Sequence, residues 1–416
     1  MNSPSKTEVQ TAISKYIDEL AQPLRELNRK VVLLTSPASQ IHETPELAYE
    51  EHHAHDVICE FLTTHNIPVK RHAYGLKTAF EAVVGDTAGP CVNFNAEYDA
   101  LPGIGHACGH NLIATASITG FMALAFAIRT FGLPGQVQLL GTPAEEDGGG
   151  KVDLINAGAY KNADVSLMMH PMAEDEFSDE KVQGIGGRST IACYDITAAY
   201  HGVSAHAAAS PWEGVNALDA LVSAYNNISM LRQQIGPNER IHGAIMQAPT
   251  VTNAIPEFTR TKYTIRSGTE KGARALGERV RRCLDAGALA TGCKVQLEET
   301  QMYADLVVVP PLCDGFQECM SDFGVNVASN DKTLMPGSTD QGNVSQIVPA
   351  LHALIGIPVT DGAHNHTRQF TAAAGTDEAH ERSVTAGKGM AMTGWKLLVD
   401  QQFYGEVREA FDKATA

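Results

Sequence analysis

The chain has 416 residues and a formal net charge of −17, with 48 acidic against 31 basic side chains. A polyanion of this kind repels nucleic acid and anionic membrane surfaces, which excludes both as partners. Its 44% hydrophobic and 19% charged residues are ordinary globular composition, and the length suffices for two or three domains.

No run approaches the ~18 apolar residues of a membrane span. The first residues, Met1 to Glu8, lack the apolar core of a signal peptide, and their early acid argues against a transit peptide. Eight cysteines without paired spacing read as reduced, mostly buried thiols, so a cytoplasmic protein is expected.

In chain order, Val9, Ile13, Tyr16, Ile17 and Leu20 keep helical spacing within residues 7–35, with Pro23 marking a break or a new start. Thr44 before Pro45 reads as the N-cap and first position of a helix running through Val57, Ile58, Phe61 and Leu62. His52, His53 and His55 fall on different faces of that helix and read as solvated. Two apolar runs between Thr78 and Asn95 flank Gly85 to Gly89, a hairpin or a short connection. Residues 111–129 read as a buried helix and 136–141 as a strand. A loop, a helix to about Ala157 and a strand over 165–169 follow. That succession indicates an α/β unit with a largely parallel sheet.

Near Gly184 to Arg188 the character changes. The stretch 189–199 alternates as a strand, 215–235 is helical, and 241–244 and 260–267 are strands. A helix over 273–288 and a strand over 294–299 complete a β-α-β-β-α-β order, that of a ferredoxin-like sandwich. The expected organisation is therefore one α/β domain, 1–188 plus 301–416, interrupted by an inserted domain at 189–300. Beyond it, 311–323 is helical, 348–355 is a strand, 362–370 is a loop, and a final helix spans about 377–399.

The chemistry concentrates after the strands of the first part. Asn95-Ala-Glu-Tyr-Asp-Ala-Leu-Pro-Gly-Ile-Gly-His-Ala-Cys-Gly-His-Asn111 carries His106, Cys108 and His110, and a thiolate two residues from an imidazole suits a borderline-soft ion such as zinc. Glycines there let the backbone approach an ion closely. Asp99 is placed to accept the free N–H of a ligating histidine and fix its tautomer. Glu145 and Glu146 follow a strand and Pro143, so extended geometry points them in opposite directions, one toward a metal and one toward the reaction space. His170 also follows a predicted strand. Ligands of open α/β sheets bind beyond the carboxyl ends of the strands, so the three segments converge on one crevice.

Taken together, His42-Glu-Thr-Pro-Glu-Leu, Tyr98-Asp-Ala-Leu-Pro, His106-Ala-Cys-Gly-His, Pro143-Ala-Glu-Glu, Met169-His-Pro, His201-Gly-x-x-Ala-His206-Ala, Thr252-Asn-x-Ile-Pro and Ser338-Thr-Asp-Gln-Gly-Asn-Val-Ser resemble the aminoacylase and glutamate-carboxypeptidase family of two-metal hydrolases. The nearer resemblance is to the branch of auxin-conjugate hydrolases, p-aminobenzoyl-glutamate hydrolases and β-alanyl-lysine-type dipeptidases. It implies that Cys108, His110, Glu146 and His170 bind two divalent ions together with a C-terminal histidine, His364 or His366, of which His366 keeps the family's spacing to an aromatic. It implies Glu145 as general base, His206 as the group polarising the scissile carbonyl, and Asn253 and Arg266 as substrate-binding residues. Asn111 and Glu97 depart from the branch, which often has Asp at each. Zinc is favoured as the metal, with manganese or cobalt as alternatives. The resemblance also implies that 1–188 plus 301–416 is the catalytic domain and 189–300 a lid or dimerisation domain. The implied substrate is a small N-acyl amino acid or dipeptide, and a homodimer through the lid domain is expected. Two other readings stay open: a thiol hydrolase with Cys108 as nucleophile, and a catalytically silent binding protein on the same fold.

Overall fold

The computed structural model describes residues 4–28, 41–360 and 362–416. Helices α1 (Lys6–Glu19), α2 (Ala21–Asn28) and α3 (His52–Thr64) precede strands β1 (Val69–Arg71), β2 (Phe80–Gly85) and β3 (Cys91–Ala96). Helix α4 (His110–Phe131), β4 (Gln136–Gly141), α5 (Gly150–Asn156), β5 (Val165–Ala173) and β6 (Gly184–Thr190) follow. Next come β7 (Ala192–His201), β8 (Ala205–His206), α6 (Ala217–Leu231), β9 (Arg240–Gln247), β10 (Ala254–Ile255), β11 (Phe258–Ser267), α7 (Glu270–Thr291) and β12 (Lys294–Glu299). The last stretch holds α8 (Pro310–Ser321), β13 (Val327–Met335), α9 (Gln341–Ser345), β14 (Ala350–Ile357), α10 (Arg368–Ala374), α11 (Asp377–Val399) and α12 (Gln401–Thr415).

These elements form two compact units. The first comprises Met1–Ser189, Leu306–Thr333 and Asn343–Ala416; the second comprises Thr190–Asp305 and Leu334–Gly342. The second unit thus includes a late segment that the expected 189–300 insertion leaves out.

The first unit is built on an eight-stranded sheet of order β1-β2-β4-β3-β5-β14-β6-β13. Its four central strands, β4-β3-β5-β14, run parallel. They are buried at almost every position, as strands covered on both faces are, and β14 at all of them. Their buried polar residues Asn93, Asn95, Gln138 and Ser166 hydrogen-bond to one another. Helix α4 packs against β3, β5 and α11. By length and composition it could cross a membrane, which corrects the expectation that no segment approaches that limit. Yet 94% of its most apolar window is buried within the protein, so it is a core helix.

Two local expectations are corrected and one open alternative is decided. The helix expected from Thr44 starts at His52, and residues 41–44 and 48–49 form turns. Glu46 caps it from outside, its carboxylate accepting the backbone N–H groups of His53 and Ala54 at 2.9 Å each. The β2–β3 link is a connection and no hairpin, because β4 lies between the two strands in the sheet. The stretch 377–399 is not the last helix, since α12 follows it; its apolar residues Phe403, Val407 and Phe411 are buried. At the N-terminus Ser5 and Glu8 form a reciprocal capping box, and Pro23 lies in the first turn of α2, where its missing N–H costs little. The expected helical positions beyond residue 28 lie outside the described residues.

The second unit has a four-stranded sheet of order β12-β7-β11-β9, antiparallel throughout. That order, with α6 and α7 as the crossovers, is the ferredoxin-like arrangement. Strands β7 and β11 alternate between buried and half-buried residues. Ile196, Tyr200, Tyr263 and Ile265 meet Leu221, Ile228, Val280 and Leu284 of the helices in its core.

Acid should loosen the first unit. His380 of α11 is buried, its Nδ1 accepting from Asn28 Nδ2 at 3.0 Å, and burial lowers its pKa to about 4. A histidine held neutral in the fold contributes stability that is complete above its unfolded pKa of about 6.5 and is lost as pH falls toward 4, up to roughly 3 kcal/mol. Thermal melts between pH 7 and 4 should therefore show a falling Tm, and a smaller fall in His380→Gln. An equal fall in that variant would remove His380 from the cause.

Candidate active site

The parallel strands deliver the site. Strand β3 ends at Ala96 and runs into Glu97 and Asp99; β4 ends at Gly141 and runs into Glu145 and Glu146. His170 lies within β5, three residues before its end, where an expected loop position gives way to a strand position facing Leu354 of β14. The loop after β14 carries His364 and His366.

Cys108, His110 and His170 offer ligand atoms within 4.8 Å of one another, and so do Cys108, Glu146 and His366, and Glu97, His110 and Glu145. Cys108 Sγ lies 3.3 Å from His170 Nε2. His110 Nε2 stands 3.6 Å from a Glu145 oxygen and 3.7 Å from Glu146 Oε1. His366 Nε2 stands 3.6 Å from that same Glu146 oxygen. His364 belongs to none of these groups, and its Nδ1 donates to Asn365 O.

Orientation comes from the other ring nitrogens. His110 Nδ1–H donates to Asp99 Oδ1 at 2.9 Å, and His170 Nδ1–H donates to Pro171 O at 2.8 Å. Each tautomer then presents an Nε2 lone pair to the pocket. The second Asp99 oxygen accepts the Glu146 N–H at 2.9 Å, so one carboxylate positions a histidine and the glutamate pair together. His366 sits at φ 68°, its N–H donating to Ala107 O at 2.8 Å.

The electrostatics record a pocket short of positive charge. Burial lowers the pKa of His110, but Asp99 and then Glu97 outweigh it and hold the ring well above its ordinary value. Burial, with Asp99 adding to it, raises Glu146. Burial also pushes the Cys108 thiol up, so without a cation it carries no thiolate. His170 falls to about 4 through burial, with Glu97 opposing. His110 Nε2 and Glu146 Oε1 are buried and have no hydrogen-bond partner. Buried polar atoms in this condition are rare, and these two face each other among thiol, imidazole and carboxylate donors. Such a donor set fits divalent cations.

Other expectations resolve differently. His106 is no part of the ligand groups: it is buried and its Nε2–H donates to Ile41 O. Gly109 sits at φ 78°, and a Cβ there would lie 2.5 Å from Pro171 Cγ. His55 is not solvated but buried, bonded to Asp56 and stacked on His72 at 4.6 Å. Asn111 donates to Asn28 Oδ1 and Ala374 O, a structural role behind the pocket.

In the second unit His206 is exposed, and its Nδ1 accepts the N–H groups of Ala208 and Ala209, leaving Nε2–H as an outward donor. Asn253 directly precedes β10, which pairs with β8 through Ala254 and His206, and its carbonyl accepts from Ala207 N. Arg266 reaches His242 Nε2 at 3.3 Å and Ser338 Oγ at 3.2 Å.

Two residues carry no signal in the sequence. Lys151 is fully buried and pairs with Glu97 at 2.5 Å; nothing in its local pattern sets it apart from a surface lysine. Glu51 accepts the backbone N–H groups of Tyr49 and Ala144, both at positive φ, and so braces the turn that carries Glu145. Burial and the nearby Asp99 raise Glu51 to about 7.

Parallel strands opening on a buried cluster of cation ligands, with carboxylates beside it, define a metal-binding α/β enzyme. The chain belongs to peptidase family M20/M25/M40, whose family model matches residues 93–386. It is 41% identical over 413 residues to a Xaa-Arg dipeptidase of Mus musculus, covering 96% of this chain and 91% of that protein. It is 24% identical to a p-aminobenzoyl-glutamate hydrolase chain of Escherichia coli, covering 97% of this chain and 95% of that one. Its fold is that of a dinuclear metal-binding M20 peptidase of Bacillus subtilis, with a TM-score of 0.64 at 20% identity over 92% of this chain and 99% of that one. The protein is accordingly a hydrolytic metallopeptidase.

Proposed function

We propose that this protein hydrolyses the amide bond of a small dipeptide or N-acyl amino acid, with a cationic C-terminal residue preferred, using two divalent ions and Glu145 as the proton-transfer group. The observation that carries the reading is the convergence of Cys108, His110, Glu146, His170 and His366 around two buried ligand atoms without hydrogen bonds. Cys108, His110 and His170 would hold one ion, and Cys108, Glu146 and His366 the other. When bound, the ions would acidify a water and polarise the scissile carbonyl.

Glu145 supplies the proton path. Its side chain is 9% exposed and its carboxylate stands 3.6 Å from His110 Nε2, at the edge of the cluster. It takes a proton from the attacking water and returns it to the leaving amine. Asp99 keeps His110 and the glutamate turn in register while charge moves. In the second unit, His206 donates from Nε2 to the carbonyl oxygen, Asn253 binds substrate, and the Arg266 guanidinium takes a substrate carboxylate. Thiolate and imidazole ligands favour zinc over manganese or cobalt.

The preference for a cationic residue rests on the mouse Xaa-Arg dipeptidase and on the net charge of −17, which attracts cations. A homodimer through the second unit is supported by the edge strand β9, which exposes Ile245 and Met246, and by exposed Val222 and Tyr225 on α6. A reducing, cytoplasmic setting is supported by eight cysteines that are all free.

Protein stripped with a chelator should lose hydrolysis and regain it with zinc or manganese. In a panel, arginine- and lysine-terminated dipeptides should be cleaved faster than p-aminobenzoyl-glutamate or acetyl-cysteine. Activity indifferent to the chelator would instead favour Cys108 as nucleophile, and a preference for acidic substrates would remove the cationic specificity.

A further inference from the structure

Lys151 stands in the first turn of α5 and is wholly buried. Lysine almost never takes such a place without a partner. Helix α5 starts against the glutamate turn: a Cβ on Gly150 would lie 1.9 Å from Pro143 O. That close approach carries the next residue, Lys151, beneath the cluster, where its ammonium meets Glu97 Oε1 at 2.5 Å. The other oxygen, Glu97 Oε2, stands 3.5 Å from His110 Nε2, the ring nitrogen that has no hydrogen-bond partner. Glu97, His110 and Glu145 also form a group able to hold an ion. One buried carboxylate thus faces an ammonium on one oxygen and the metal-binding cluster on the other.

A buried ion pair is a weak device for stability, since well-packed apolar residues often serve as well. Its placement here has a different consequence. Charge that Glu97 shares with Lys151 is withdrawn from an ion at His110, and the positive charge of Lys151 lies close enough to weaken that ion's binding.

We propose that Glu97 is a further cation-binding carboxylate of this site and that Lys151 restrains it, so that the pair sets the affinity for the ion held at His110. The inference rests on the two-metal reading above. Glu97 acts directly on the ion, and Lys151 acts through Glu97 as a positioning residue.

The test is zinc affinity of the metal-free full chain, measured by competition with a chromophoric chelator for wild type and two variants. In Glu97→Gln/Lys151→Met both charges are removed together, so no unpaired charge is buried and the fold is kept. This variant should bind zinc about tenfold or more weakly, because the carboxylate is gone. Lys151→Met alone should bind about tenfold more tightly, a gain that a merely structural lysine does not produce. Wild-type affinity in the double variant overturns the proposal, as does weaker or unchanged binding in Lys151→Met. Should Lys151→Met fail to fold, the double variant decides alone. Wild-type protein that binds no zinc overturns the two-metal reading and this inference together, whereas normal wild-type binding with an unaltered double variant overturns this inference only.

Discussion

Glu145→Gln is expected to keep both metal ions and to lose turnover by ~10² or more, the effect of removing a general base. The amide is nearly isosteric with the carboxylate but cannot accept a proton from water. Glu146→Gln is expected to do the reverse: its Oε1 stands 3.6 Å from His366 Nε2 and 3.7 Å from His110 Nε2, so the loss should appear first as metal. Elemental analysis beside steady-state kinetics separates the two. Metal lost from Glu145→Gln and retained in Glu146→Gln would exchange the roles. Residues 145–148 form a turn in place of the expected extended segment, so both carboxylates reach His110 Nε2, at 3.6 and 3.7 Å, and do not point in opposite directions. Ala144 sits at φ 59°, braced by Glu51, and the Glu146 N–H is held by Asp99.

His206→Ala is expected to lower turnover by ~10²–10³ while leaving metal content unchanged, the size of losing one donor aimed at a developing oxyanion. The ring is prepared for that task, since its Nδ1 is occupied by the N–H groups of Ala208 and Ala209 and its Nε2–H is left to donate. His206 belongs to the second unit, and every proposed metal ligand belongs to the first. In the proposed homodimer it would serve the partner's site. Mixing His206→Ala with Glu145→Gln chains under subunit exchange should then restore activity, because some mixed sites combine an intact base with an intact histidine. Demonstrated exchange with no recovery would leave His206 acting within its own chain or not at all. Metal lost from His206→Ala would make its role structural.

Some of this was written in the sequence alone. Apolar periodicity delimits β4 at 136–141 and places α4 and α11 within a residue or two, because these elements bury most of their surface and show it in composition. Alternation in β7 reports a sheet covered on one face. The order of strands and helices specifies the parallel centre of the large sheet and the ferredoxin-like second unit. Glu145 and Glu146 stand out because they directly follow a strand that ends in the sheet's crevice.

The tertiary structure decided what local pattern does not encode. Strand β4 separates β2 from β3, which nothing in the two flanking runs reveals. Glu46 caps α3 from six residues before its start, so the Thr44-Pro45 signal, valid as local chemistry, was outcompeted. His366 Nε2 lies 3.6 Å from Glu146 Oε1 while His364, two residues away in the same loop, joins no ligand group, a choice the loop's local sequence does not reveal. Lys151 is buried because Gly150 presses α5 against Pro143 and brings it to Glu97, 54 residues earlier in the chain. Periodicity and caps are set by neighbours a few residues away and can be read from order alone. A buried charge is chosen by whichever opposite charge the packing brings to it, and that partner exists only once the chain has folded.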